Sequence, residues 1–264
     1  GDYKQAMNIF VSSLNQAQDL GQKRTTDSFL NQIGILYYYQ GKADSALYHW
    51  EQAVELCKEL GNKNLEMGIT ANMGNAYWNK GEYSRAIEIH EKALEYAELS
   101  DNKTSIGLGL TNLGYMYQVI REFEKSINYL ERSIAINEEI EFKGMVAGAL
   151  KIFGDVFANY KGDLDRAHEY YSKSLSISQE MGDKRGTGSC IYGIGDMYAR
   201  QGNYIQALDY LDRYLKIVNE MDDKGGKAKC LNIIGLVYYE RSEFEKAEPY
   251  FAESYSMSNI KGDS

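Results

Sequence analysis

The sequence predicts an all-α solenoid built from antiparallel helix pairs, and two observations carry that prediction. Six glycines, Gly34, Gly74, Gly114, Gly154, Gly195 and Gly235, recur at steps of 40 residues with one step of 41, each followed three places later by an aromatic ring. A fixed period of this length marks one structural unit copied along a line, in which each copy packs on its neighbours instead of sharing one core. In the same phase comes a small residue, Ala46, Ala86, Ser126, Ala167, Ala207 or Ala247, and four beyond it a bulky one: Trp50, His90, Leu130, Tyr171, Leu211 or Phe251. At helical spacing these positions form two amphipathic helices per copy, buried through the glycine stripe of the first and the small-residue stripe of the second. Glycine and alanine then mark where the paired backbones approach to roughly 8 Å.

Taken in order, residues 1–22 read as the second helix of an incomplete copy. Gly1-Asp2-Tyr3-Lys4-Gln5-Ala6 matches Gly81-Glu82-Tyr83-Ser84-Arg85-Ala86, and Phe10 takes the bulky place. Six helix pairs follow, at 23–62, 63–102, 103–142, 143–183, 184–223 and 224–264, together forming a single solenoid domain. Within pairs the turns read Gly41-Lys42, Gly81-Glu82, Gly162-Asp163 and Gly202-Asn203, where glycine takes the left-handed conformation that ends a helix. Arg121 and Ser242 replace that glycine in two copies; with the same backbone each costs on the order of 1 kcal/mol. Between pairs, Gly61-Asn62-Lys63, Ser100-Asp101-Asn102-Lys103, Gly182-Asp183-Lys184 and Asp222-Asp223-Lys224 read as polar joints. The extra residue of the fourth copy falls near Tyr160 and Lys161, at a turn. Pro249, the only proline, is cheap early in the last helix only if that helix starts late.

The order Leu113-Gly114-Tyr115-Met116-Tyr117, and then Ala247-Glu248-Pro249-Tyr250-Phe251, resembles the tetratricopeptide repeat over essentially the whole chain. The unit is longer than the usual 34 residues of that family and lacks its terminal proline. The added length is expected in the second helix and the joint after it, as at Lys58-Glu59-Leu60-Gly61-Asn62-Lys63. This variant is similar to the repeats of kinesin light chains, Pins-type adaptors, bacterial Rap-type regulators and multidomain signalling proteins. The resemblance implies a right-handed superhelix whose concave groove, lined by the first helices, holds an extended peptide or a partner helix.

On that basis the outer faces of the first helices supply the candidate peptide-binding residues. The second copy offers Asn72, Asn75 and Asn79 with Trp78 alongside, and the third Asn112 and Tyr115. The fourth offers Lys151 and Asp155, the fifth Tyr192, Asp196 and Arg200, the sixth Asn232 and Tyr239, and the first Asn31. A carboxamide both donates and accepts, so a row of them can pair with peptide backbone whatever its side chains. Trp78, Tyr115, Tyr192 and Tyr239 would expose large rings of the kind that binding surfaces enrich. The expectation is that Asn75→Ala and Trp78→Ala weaken partner capture without lowering the melting temperature. Lys151 followed by Asp155 does not match the carboxylate clamp of chaperone-binding relatives.

Composition narrows the classes. With 38 acidic against 29 basic residues, a net charge of -9 and no basic stripe, the field is the wrong sign for nucleic acid. No run of about 18 apolar residues is available to span a membrane, and no signal peptide is visible. Cys57, Cys190 and Cys230 lack metal or redox spacing and are expected as reduced packing thiols of a cytoplasmic protein. No phosphate loop, zinc-protease or hydrolase motif occurs, and His90 sits in the bulky packing place, so neither catalysis nor a cofactor is expected. The leading reading is a non-enzymatic module that binds another protein or a peptide segment. The alternative is a regulatory region of a multidomain bacterial signalling protein. Both ends fall at repeat boundaries, so the chain is expected to come from a longer protein. Its ends carry no polar cap, and stacking end to end on another copy is expected from them.

Overall fold

A computed structural model describes residues Tyr3–Asn259, all of whose regular elements are helical. The opening pair Gly1-Asp2 and the closing Lys261-Gly262-Asp263-Ser264 lie outside the described residues. In chain order the α-helices are α1 (Tyr3–Asp19), α2 (Lys23–Tyr39), α3 (Ala43–Leu60), α4 (Lys63–Asn79), α5 (Tyr83–Leu99), α6 (Lys103–Val119), α7 (Phe123–Glu139), α8 (Lys143–Val156), α9 (Leu164–Glu180), α10 (Lys184–Arg200), α11 (Tyr204–Glu220), α12 (Lys224–Glu240) and α13 (Phe244–Asn259). They fall into two compact units that divide within α6, the first ending at Met116 and the second beginning at Tyr117. In the first unit, α1 to α5 pack in sequence order and α2 also touches α4. In the second, α7 to α13 do the same, with α8 on α10 and α10 on α12. Helices joined by two or three residues and packed on one another run antiparallel.

The repeat glycine makes room for the bulky residue itself. A Cβ on Gly34 would run into the Trp50 indole, and one on Gly154 would stand 2.5 Å from the Tyr171 ring. The same holds for Gly74 under His90, Gly195 under Leu211 and Gly235 under Phe251. The glycine therefore receives the partner's large side chain directly; sequence reasoning had placed the alanine opposite it. Trp50, Leu130 and Leu211 are buried to 1% exposure or less, each burial contributing roughly 1.5–3 kcal/mol.

Three local expectations are refined. The added length of the repeat lies in both helices, most of them 17 residues long, and the joints stay short. The extra residue of the fourth copy is taken up as a π turn over Phe157–Lys161 at the end of α8, the usual form of a one-residue insertion in a helix. Pro249 lies inside α13, which already starts at Phe244. Its missing N–H therefore forfeits a bond to Glu245, and the late start that would have spared it does not occur. The turn backbone is uniform: Arg121 at φ 66 and Ser242 at φ 60 adopt the same left-handed conformation as Gly41 at φ 75.

Rings on the first helices are roofed by cations from the same copy. Arg85 lies 3.8 Å over Tyr77, Lys125 5.1 Å over Tyr117, Arg166 5.5 Å over Phe157 and Lys246 5.7 Å over Tyr238. Each such contact is worth roughly 0.5–1 kcal/mol at an exposed site.

Candidate functional site

In the first unit, α4, α5 and α6 enclose a cleft of about 230 Å³. From α4 it takes the stripe Asn64, Gly68, Asn72 and Asn75; from α6, Ser105, Leu108, Gly109 and Asn112; from α5, His90, Leu94 and Tyr96. Gly68 leaves open space where a side chain would stand, which widens the entrance. None of the lining residues carries a formal charge at neutral pH, in a chain that is 25% charged.

The hydrogen bonds divide the amides into engaged and free. Tyr96 donates to Asn64 Oδ1 at 3.0 Å, and Asn102 Oδ1 caps α6 through the Ser105 N–H at 3.1 Å. His90 Nε2 lies 3.1 Å from Asn75 Oδ1. Burial lowers the His90 pKa to about 4, so at neutral pH the ring is uncharged and, with its proton on Nε2, donates to Asn75. Asn72 and Asn112 have no side-chain hydrogen bond among the described residues. Asn75 is thus part of the packing, and Asn75→Ala is expected to lower the melting temperature, contrary to the reading from sequence.

One turn further along α4 and α6 stand Trp78 and Tyr115. Trp78 is half-buried because its ring packs 4.6 Å from Tyr83 and 6.1 Å from Tyr115, centroid to centroid. Tyr115 is 45% exposed.

In the second unit a cleft of about 460 Å³ gathers Lys151, Asp155, Tyr192, Asp196 and Arg200 with Tyr171. Here the charges satisfy one another. Lys151 Nζ is 2.6 Å from Asp155 Oδ2, the Tyr171 hydroxyl donates to Asp155 Oδ1 at 2.7 Å, and Arg200 is 2.7 Å from Asp196. Arg200 also donates to Asn159, whose amide donates to the Asp155 backbone carbonyl at 2.7 Å. Burial first, then Asp155, drives the Tyr171 phenol far above its ordinary value. Burial and Asp196 raise Tyr192 in the same way, though it is half-buried.

Six of the residues expected from sequence lie outside both clefts. Trp78 and Tyr115 form the aromatic cluster just described. Asn79 and Asn232 are exposed, as is Tyr239, whose ring meets Phe244 edge-on at 5.2 Å. Asn31 accepts the Trp50 indole N–H on its backbone carbonyl at 3.2 Å, and its buried Oδ1 has no partner. Asn64, Tyr96 and Tyr171 were missed, because two of them belong to second helices and sequence reasoning took the first helices alone. The i, i+4, i+8 stripe Asn64-Gly68-Asn72 would have found the first of them.

The three thiols are held protonated. Burial pushes the Cys57 thiol up to about 11 and Cys230 to about 12, and raises Cys190, so little thiolate forms at neutral pH. Among the described residues no cluster of three His, Cys, Asp or Glu could hold a metal ion, and no helix is long and apolar enough to cross a membrane.

The tetratricopeptide repeat profile matches residues 25–99, 66–139, 145–220 and 189–259. The chain belongs to the tetratricopeptide repeat family. No curated protein matches it. Similar solved structures include aspartyl phosphate phosphatase F from Bacillus subtilis, 20% identical with a TM-score of 0.72, over 94% of this chain and 68% of that one. A Rap protein complexed with competence and sporulation factor is 14% identical at TM-score 0.72, over 94% and 79%. A signal transduction ATPase with a tetratricopeptide repeat sensor, from Pyrococcus horikoshii, is 14% identical at TM-score 0.71, over 97% of this chain and 39% of that one. At these identities the likeness shows the tetratricopeptide repeat fold alone.

Proposed function

We propose that this chain is a non-catalytic protein-interaction module whose first unit grips an extended segment of another protein in the cleft between α4, α5 and α6. The observation that carries this reading is the pair of unengaged carboxamides, Asn72 and Asn112, on a cleft without charge. An extended backbone presents alternating N–H and C=O groups, and amides without internal partners can meet both. Leu94 and Leu108 add apolar surface for a side chain. The Rap protein solved with competence and sporulation factor supports the reading, since it is a similar fold with a bound partner. The acidic balance disfavours nucleic acid as that partner.

The test is a displayed peptide library selected on the wild-type chain. Selected peptides should lose at least about tenfold in affinity for the Asn72→Ala, Asn112→Ala double variant, the loss of two or more hydrogen bonds, while its melting temperature stays within about 2 °C. Equal affinity for both proteins overturns the reading.

A second reading, a regulatory region governing an attached output, is favoured by the likeness to the archaeal ATPase, in which the repeat is a sensor. It expects an output domain in the parent reading frame; a parent gene without one leaves it unsupported.

A further inference from the structure

Several rings of this protein are covered by a cation of the same chain. Tyr77, Tyr117, Tyr129, Phe157, Tyr170, Tyr210 and Tyr238 each lie within 6.0 Å of an Arg or Lys of the same chain. Trp78, Tyr83 and Tyr115 meet in one cluster, with Tyr83 44% and Tyr115 45% exposed. Among the described residues no cation lies over any of the three. The nearest basic residues in sequence are engaged elsewhere: Lys80 pairs with Asp44 at 2.8 Å, and Arg85 covers Tyr77 while reaching Glu82 at 3.4 Å.

From this we infer that the Trp78–Tyr83–Tyr115 cluster is the seat for an arginine side chain of the bound partner, next to the amide cleft. The inference rests on the segment-binding reading above and adds the chemistry of the segment. Aromatic rings attract a cation, tryptophan most strongly, and a planar guanidinium stacks on rings better than an ammonium. The net charge of -9 draws a basic segment toward the chain. The adjoining cleft has no charged lining residue, so the residues flanking the arginine are uncharged. One turn of helix separates Asn75 from Trp78 and Asn112 from Tyr115, about 5 Å, and a segment of a few residues covers both.

The experiment uses three blocked pentapeptides, acetyl-Ala-Ala-X-Ala-Ala-amide with X as arginine, norleucine or glutamate, titrated into the full chain. It follows the Trp78 indole resonance and the side-chain amide resonances of Asn72 and Asn112. The arginine peptide should bind about three- to tenfold more tightly than the norleucine peptide, and the glutamate peptide most weakly. Trp78→Leu should remove the advantage of arginine over norleucine; if that variant fails to fold, Tyr115→Leu serves the same purpose. Should all three peptides shift Asn72 and Asn112 with equal affinity, the arginine seat falls and segment binding stands. If no peptide shifts either amide or the indole, both fall.

Discussion

The two clefts treat their polar side chains in opposite ways. The residue after the repeat glycine is Ile35, Asn75 or Tyr115 in the first unit and Asp155, Asp196 or Leu236 in the second. The helices that carry them are built alike, yet Asp155 is locked by Lys151 and Tyr171, and Asp196 by Arg200. The first cleft ties Asn75 to His90 but leaves Asn72 and Asn112 without a side-chain hydrogen bond among the described residues. A position presented by the scaffold is therefore not a binding residue by location alone. Where neighbours complete its bonds it belongs to the stability of the unit, and where they do not it remains available to a ligand.

The strongest way to break this comparison is to remove the locked carboxylate. Asp155→Ala leaves the Lys151 ammonium and the largely buried Tyr171 hydroxyl without their acceptor, and should destabilise the second unit by about 3 kcal/mol. Tyr115→Ala, at the equivalent place in the first unit, should change stability by less than about 1 kcal/mol. Both tryptophans of the chain, Trp50 and Trp78, lie in the first unit. Urea unfolding by far-UV ellipticity should thus register the Asp155 variant, with tryptophan fluorescence little altered. Equal losses from the two substitutions would mean that the ion pair contributes no more than an exposed ring.

Acid should separate the units next. His90 is held neutral in the fold with its pKa lowered by burial from 6.5 to about 4. Its contribution is complete above pH 6.5 and is lost as pH falls from 6.5 toward 4, where the unfolded chain binds the proton first. The loss amounts to about 3 kcal/mol over that window. Burial lowers His49 as well, which adds in the same direction. Tryptophan fluorescence should therefore report loss of structure at a higher pH than ellipticity does, and His90→Gln should bring the two transitions together. Coincident transitions in the wild-type chain would contradict the neutral, buried ring.

Much of this was legible in the sequence, and what was not has identifiable causes. The phase of helices and turns could be read because a glycine under a bulky partner is a geometric demand repeated along the chain, from Gly34 under Trp50 to Gly235 under Phe251. The insertion near Tyr160 was visible, but its form as a π turn depended on α8 keeping its hydrogen bonding to the end. The first helices gave Asn72, Asn75 and Asn112 for one cleft, and Lys151 and Asp155 for the other. The wall made by Tyr96, and its bond to Asn64 32 residues away, could not be seen in a stripe along one helix. For the same reason Asn75 read as free, since its partner His90 lies on the facing helix.

The smallest effect distinguishes the units by their turns. Among the described residues up to Met116 the left-handed positions are Gly21, Gly41, Gly61 and Gly81, with Asp101 the one non-glycine; among those from Tyr117 on, Arg121, Glu141, Asp222 and Ser242 adopt positive φ beside Gly162, Gly182 and Gly202. A side chain at φ 66, as in Arg121, meets the following carbonyl and costs on the order of 1 kcal/mol, partly offset by the greater entropy that glycine loses on folding. Arg121→Gly and Ser242→Gly should each stabilise the second unit by about 0.5 kcal/mol, read as a higher urea midpoint with an unchanged slope. The bonds that close the turn, Arg121 N to Gln118 O at 3.1 Å and Glu122 N to Tyr117 O at 2.9 Å, use only backbone and survive the exchange. A fall in the midpoint would show that the Arg121 side chain contributes more than its backbone strain removes.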